Sequence, residues 1–290
     1  GQRLIQANGV AYNVYGDPQG KTRPWLMDLV PLVIGADEWA QIERAVAQRV
    51  TLLNTILADL YGPQRLLHDR MLPAELLFGN PSFLRPVRGI APRDGVFLQN
   101  YAVDLARAPN GAWWVIADRT QAPSGMGYAL ENRLVSARTL PSLVDHCHVR
   151  SLSRFFDRTF AALLRLAPEP SQTPRVVVLT SGPHNETYLE HSFLSKHWGV
   201  PLVGGDDLTV RDNRVFLKTL AGLTPVDVIV RRMDDDFCDP LELRADSLLG
   251  VPGLAQAARA GTVTIANALG SGLVETPALM AFLDRKSTRL

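Results

Sequence analysis

The sequence predicts an α/β fold: an α+β N-terminal part followed by a doubly wound, mostly parallel sheet. Three observations predict it. Beyond residue 175, short apolar strands alternate with helical stretches, the pattern of βαβ units. Before that, two apolar runs flank Pro109-Asn110-Gly111 and read as a β-hairpin, because Asn-Gly supplies the positive φ angles that a tight turn needs. Ahead of the hairpin, residues 37–60 carry apolar side chains at helical spacing.

Composition narrows the class of function. The 290 residues suffice for one large or two ordinary domains, and 46% hydrophobic against 20% charged content is that of a soluble globular chain. Thirty Lys and Arg against 29 Asp and Glu leave a net charge of +1, so no global field favours nucleic acid or a membrane surface. Cys147 and Cys238 stand far apart without a CxxC spacing, which argues against a disulfide framework or zinc site and suits a reducing cytoplasm. No apolar run approaches membrane-spanning length and no signal peptide precedes the first element. The chain starts at Gly1 without an initiator Met. Its last residues, Asp284 to Leu290, break the preceding apolar pattern and match a translated sequencing adapter. They are expected to be a non-native tail on a fragment of a longer protein.

Residues 1–35 hold short apolar stretches with turn signals at Gly16-Asp17-Pro18 and Arg23-Pro24. The helix from Asp37 to Leu60 places Trp39, Ile42, Val46, Leu53, Ile56, Leu57 and Leu60 on one stripe and stops at Tyr61-Gly62-Pro63. From Pro63 to Arg88 the chain is proline-rich and irregular, with a short helix near Ala74–Phe78. Its recurring Arg65, His68, Arg70, Arg85 and Arg88 form a solvated surface or, alternatively, an anion-facing wall. A helix from about Leu140 to Leu166 follows the hairpin, and His146 and His148 within it are read as structural. Past the linker Ala167-Pro168-Glu169-Pro170 come a strand at 175–179, a helix at 186–198 and a strand at 200–203. A second hairpin about Asp212-Asn213, a strand at 226–230, a helix at 253–260 and a strand at 263–266 complete the pattern. The organisation is therefore 1–62, an N-terminal helical segment; 63–166, a hairpin and loop region; 171–283, an α/β domain; and 284–290, the tail.

Pairing the hairpin outward from Asn110-Gly111 sets Asp104 opposite Ala117, with Ala102, Asp104, Ala106, Val115, Ala117 and Arg119 on one face and Asp118 on the other. A cross-strand acid opposite Asp104 would complete an oxygen clamp for a hard ion such as Mg²⁺, but that position is alanine. The loop Ala122-Pro123-Ser124-Gly125-Met126-Gly127-Tyr128 lacks bulk, so its N–H groups can approach an anion, or it is an ordinary turn; Glu131-Asn132-Arg133 follows it. Ligands of open parallel sheets bind beyond the carboxyl ends of the strands. That rule places Ser181-Gly182, Arg231 through Asp236 and Asn267 through Gly272 at one edge. The adjacent acids Asp234, Asp235 and Asp236 beside Arg231 and Arg232 lean towards function, since like charges so close repel. GGDDL at 204–208 reads as a strand-to-loop turn. There is no GxxxxGK[ST], GxSxG or HExxH motif.

The blocks DLARAPNGAWWVIADRTQAPSGMGYALENR, TSGPHNETYLEHSFL, VGGDDLTVRD, VIVRRMDDDFCDPLELRADSLLGVPGL and IANALGSGL, in this order, resemble the circularly permuted ATP-grasp family, type 2. The resemblance spans nearly all of residues 1–283. It implies a partial permuted ATP-grasp fold related to glutathionylspermidine synthase. It also implies a bacterial carboxylate–amine ligase chemistry that uses ATP and Mg²⁺ to form an acyl phosphate. Some members are thought inactive and are fused to an alpha-E domain; their neighbours include transglutaminase-like proteins, which implies a peptide synthesis or modification system with a peptide or amine substrate. The family pattern has an Asp on the first hairpin strand, matched by Asp104, and Glu-Asp-Asn on the second, where this chain has Ala117-Asp118-Arg119. A degenerate metal site follows, with Asp104 lacking both partners and Arg119 bringing a fixed cation. Taken together, the candidate nucleotide or substrate contacts are Arg119, Ser124, Gly125, Tyr128, Arg133, Ser181, Asn185, Arg231, Arg232, Asp234, Asp235 and Asn267. Two alternatives stay open: an active ligase with a metal site rearranged around Asp104 and Asp118 or around Asp234–Asp236, and a non-catalytic interaction domain.

Overall fold

A computed structural model describes residues 1–14, 22–28, 30–169 and 173–283. The Gly16-Asp17-Pro18 turn, Pro170 of the linker and the 284–290 tail lie outside the described residues. The chain opens with α1 (Gln2–Ala7) and the two-stranded ribbon β1 (Ala11–Asn13) and β2 (Thr22–Pro24). Arg23-Pro24, expected to turn, is part of β2 instead, paired with Tyr12 and Ala11; proline is tolerated on such an edge because its missing N–H faces away from the partner.

Helix α2 (Ala36–Leu60) matches the predicted span, and Ile42, Leu53, Ile56, Leu57 and Leu60 are buried as expected. Trp39, in its exposed first turns, is not, and Arg49 joins the buried stripe, held there by a buried ion pair. Next come α3 (Arg65–His68) and α4 (Ala74–Phe78). Arg65, His68, Arg70, Arg85 and Arg88 are all exposed, and Arg85 lies 5.3 Å over the Phe78 ring. The hairpin is β3 (Ala102–Arg107) with β4 (Trp113–Arg119).

The loop after β4 is shorter than expected, because Gly125, at φ 109°, caps α5 (Met126–Thr139) and puts Tyr128 and Arg133 on that helix. The single helix expected over 140–166 is two, α6 (Pro141–His146) and α7 (Ser153–Leu164). Helical geometry breaks between them at His148, φ 46°, and both His146 and His148 are exposed.

The second half is β5 (Val176–Thr180), α8 (Tyr188–Trp198), β6 (Leu202–Val203), the meander β7 (Leu208–Arg211), β8 (Arg214–Thr219) and β9 (Gly222–Pro225), then β10 (Val228–Arg232), α9 (Leu254–Arg259), β11 (Thr264–Ala266) and α10 (Pro277–Met280). Strand order β11-β10-β5-β6 is parallel throughout. Burial on both faces explains the unbroken apolar runs. Val177, Leu179, Ile229 and Ile265 pack towards α2 and α9, while Val176, Val178, Val228 and Val230 pack towards α7 and α8. Helices on both faces make the sheet doubly wound, and its strands all end at one edge. GGDDL is a tight turn between β6 and β7, where a Cβ on Gly205 would stand 2.4 Å from the Leu249 carbonyl oxygen.

Candidate functional site

At the end of the hairpin away from the turn the register is the predicted one, Asp104 opposite Ala117 and Ala102 opposite Arg119. It is reached by a different route. Near the turn Arg107 pairs with Trp113 and Leu105 with Val115, one residue out of the expected phase, and a bulge at Ile116 restores the alignment. The bulge corrects the expected face. Val115 is buried with Trp113 and Asp118, whereas Asp104, Trp114, Ile116 and Arg119 face outward. Arg119 reaches diagonally to Asp104, its Nη2 donating at 2.8 Å and its Nε at 3.2 Å, and both side chains stay about half exposed.

On the inner face Asp118 is an anchor. Arg49 of α2 donates to both its carboxylate oxygens at 2.7 Å, and the Tyr101 hydroxyl donates to Oδ1 at 2.5 Å. Burial, then the adjacent carboxylate, pushes the Tyr101 phenol well above its usual range. A fork-to-fork pair of this kind fixes the hairpin's orientation on α2.

The small-residue loop does hold an anion, and the anion is the chain's own Glu190. Its Oε2 accepts from the Gly125 N–H at 2.7 Å and the Gly127 N–H at 2.9 Å, at the positive end of α5. Its Oε1 accepts from Arg232 Nη2 at 2.8 Å, and Arg232 Nη1 donates to the Pro123 carbonyl at 2.6 Å. Glu190 and Arg232 are 1% and 4% exposed, so the loop rides on a buried ion pair. A Cβ on Gly127 would meet Glu190 Cγ at 3.2 Å, which explains glycine there.

Beside it, a second knot ties the sheet edge to the hairpin. Arg231 donates to the carbonyls of Met233 (2.6 Å) and Gln121 (2.9 Å) and to Ser271 Oγ (3.0 Å). Asn267 Oδ1 accepts from the Gln99 and Asn100 N–H groups at 2.8 Å, and its Nδ2 donates to the Asn100 and Thr120 carbonyls at 2.7 Å. Asp235 accepts from the Gly270 N–H at 2.9 Å and from Gln121 Nε2 at 3.2 Å. Glu275 accepts from the N–H groups of Thr120 (2.5 Å) and Gln121 (2.6 Å). The three neighbouring acids thus part company: Asp235 turns inward, Asp236 pairs with Arg244 at 3.2 Å, and Asp234 is exposed.

The tertiary structure therefore brings Ser124, Gly125, Arg231, Arg232, Asp235 and Asn267 into one region, with the donors of Arg231 and Asn267 turned inward. Tyr128 is buried, stacked on Trp25 at 4.5 Å, and its hydroxyl donates to the Ala11 carbonyl; burial, then Glu190, pushes the phenol up to about 12. Arg133 lies farther along α5 and donates to the Arg150 carbonyl. Ser181 accepts from Asn185 Nδ2 at 2.9 Å, and Asn185 Oδ1 accepts from the Thr187 N–H. Ser124 is exposed at the loop's tip. Among the described residues no group of three or more His, Cys, Asp or Glu is arranged to hold a metal ion.

Sequence reasoning missed Glu190, Gln121 and Glu275. Glu190 carried a readable signal: it shares the buried stripe of α8 with Leu194 and Trp198, at i, i+4 and i+8, where an acid requires a buried partner. Gln121 and Glu275 carried none, since their partners, Asp235 and Arg231 for the one and the Thr120 and Gln121 N–H groups for the other, are distant in sequence.

The model of the family described as circularly permuted ATP-grasp type 2 matches residues 31–290. An uncharacterised protein of Mycobacterium tuberculosis is 43% identical over 295 residues, covering 99% of this chain and 33% of that protein. One from Synechocystis is 41% identical over 275 residues (95% and 57%), and one from Mycobacterium leprae 44% over 254 residues (88% and 45%). The chain thus spans between a third and somewhat over half the length of these curated relatives. Among solved structures, a glutathione synthetase-like effector from Globodera pallida aligns with a TM-score of 0.48 at 14% identity, covering 89% of this chain and 61% of that one. Proteins of the ATP-grasp class generally use ATP and Mg²⁺. No helix among the described residues is long and apolar enough to cross a membrane. With the family model matching most of its length and a mixed α/β fold around a parallel sheet, the chain belongs to the circularly permuted ATP-grasp type 2 family.

Proposed function

We propose that the chain is the ligase-like part of a carboxylate–amine ligase relative whose metal site is degenerate. In this reading it serves a cytoplasmic peptide synthesis or modification system by holding a peptide or amine substrate, or by scaffolding an alpha-E domain or a transglutaminase-like protein. One observation carries the proposal: the Asp104 carboxylate is ion-paired to Arg119 at 2.8 Å and faces Ala117 across the hairpin. Mg²⁺ demands a near-octahedral shell of oxygen donors, and one carboxylate already neutralised by a guanidinium does not fit it. Phosphoryl transfer relies on that metal to neutralise charge between the phosphates.

The test is calorimetric titration of Mg·ATP into the protein and into the A117E/R119N variant. The proposal expects no magnesium-dependent binding to the natural sequence and its appearance in the variant. Micromolar, magnesium-dependent binding with turnover by the natural sequence would overturn it in favour of an active ligase with a rearranged site. Binding of ATP without a metal requirement would assign Arg119 to a phosphate. A second reading, a non-catalytic interaction domain, draws on the outward Trp114 and Ile116, 42% and 58% exposed beside that pair.

A further inference from the structure

The free edge of the parallel sheet lies far from the hairpin in the chain and is independent of the ligase reading. β11 is the last strand on one side of the order β11-β10-β5-β6. In a parallel pair, alternate residues turn both peptide groups to the same neighbour. Thr264 faces β10, its N–H donating to the Asp227 carbonyl at 2.9 Å, and Ala266 follows suit. The N–H and C=O of Ile265 therefore point to the outer edge, where neither meets a hydrogen-bond partner among the described residues. Ile265 is nonetheless only 6% exposed.

Against this edge lies a half-enclosed slot of about 220 Å³, far above the ~10–15 Å³ that admits one water. Two segments form its mouth from opposite faces of the sheet. Ile90 packs in the core on the Ile265 face, and Leu166 in the core on the Thr264 face, its carbonyl accepting from Thr264 Oγ1 at 2.7 Å. They meet where Arg93 donates to the Ala167 carbonyl. Pro92, Pro168 and Leu269 give it apolar walls, and the small Ala258 and Gly261 are also among its lining. Arg93, exposed, is the charged residue of the lining.

We propose that this slot takes an extended peptide from a separate polypeptide, added as a strand beside β11. An unpaired N–H and C=O on an edge strand are matched by another extended backbone, the physics of strand addition. The apolar walls call for one large aliphatic or aromatic side chain on that peptide. The guanidinium at the mouth calls for a carboxylate one or two residues away. A bare apolar ligand would leave the Ile265 peptide groups unmatched, and a bare anion would leave the walls unfilled.

The probes are fluorescein-labelled hexapeptide amides containing Val-X-Val-Asp, with X as Leu, Phe or Trp, titrated by fluorescence anisotropy against the 290-residue protein. At least one binds saturably, and N-methylating the amide that faces β11 abolishes binding while leaving every side chain in place. A258F fills the slot and weakens binding at least tenfold. R93Q, at an exposed position, weakens the Asp peptide about tenfold and leaves the Asp-to-Asn peptide unchanged. Absence of binding by all three peptides at millimolar concentration overturns the proposal, as does binding indifferent to both A258F and N-methylation. Sedimentation supplies the other arm: self-association without peptide that A258F abolishes would make a second copy the occupant and overturn the separate partner.

Discussion

Replacing Glu190 by alanine is the sharpest test of how the loop after the hairpin is held. The carboxylate neutralises Arg232 at 2.8 Å in a site where both residues are almost wholly buried, and it accepts from two loop N–H groups. Burial already presses the Arg232 guanidinium towards lower pKa, opposed by Glu190. Removing one member of such a pair costs about 3–5 kcal/mol, because the other is left charged without a partner. At ~2–4 °C per kcal/mol for a domain of this size, the melting temperature of E190A falls by roughly 6–20 °C. Urea unfolding followed by circular dichroism measures the loss, and hydrogen exchange over residues 123–127 localises it. Arg232 Nε has no partner even in the intact pair. The apolar double variant E190L/R232M therefore recovers part of the stability: it removes the unpaired charge but still leaves the Gly125 and Gly127 N–H groups and the Pro123 carbonyl without their partners. A loss below about 1 kcal/mol for E190A, or a double variant as unstable as the single one, would refute the reasoning.

His191 makes stability depend on acid. Burial, then Arg232, lowers its pKa from 6.5 to about 3, with Nδ1 at 2.8 Å from Thr180 Oγ1. The unfolded chain takes up the proton first as pH falls, so stability is full above about 6.5 and is lost progressively towards 3. Between pH 7 and pH 5 the loss from this residue is about 2 kcal/mol, read from urea midpoints; H191Q should lack that component. At Gly270 the backbone has φ 87° and a Cβ would stand 2.4 Å from the buried Tyr61 ring. G270A should lose about 2–4 kcal/mol from strain and overpacking together. G222A, at φ 118° with open space around it, should lose about 1–2 kcal/mol from strain alone, and equal losses at the two sites would contradict the packing argument.

Much of the architecture was legible in local chemistry. Helix α2, the Asn-Gly hairpin and the apolar strands β5, β10 and β11 follow from periodicity and turn residues. These signals are carried by neighbours in sequence. The misreadings share a cause. Arg23-Pro24 looked like a turn because proline limits strands in general, whereas here it sits on an edge. The 140–166 helix looked continuous because its apolar spacing survives the break at His148. Gly125 looked like part of a small-residue loop, though a glycine at positive φ is also how a helix such as α5 is begun.

At the candidate site, residue identity by itself determined which groups are present: Asp104 with Ala117 and Arg119 on the facing strand, glycines where backbone must approach closely, and paired arginines at the end of a strand. Which of them meet was decided only in three dimensions. The bulge at Ile116 kept Asp104 opposite Ala117 although the turn had shifted the strands by one residue. The anion that the glycine loop holds came from Glu190, more than sixty positions away in the chain. Hydrogen-bond directionality and burial select such partners, and both depend on how helices and strands are stacked rather than on the order in which residues are joined.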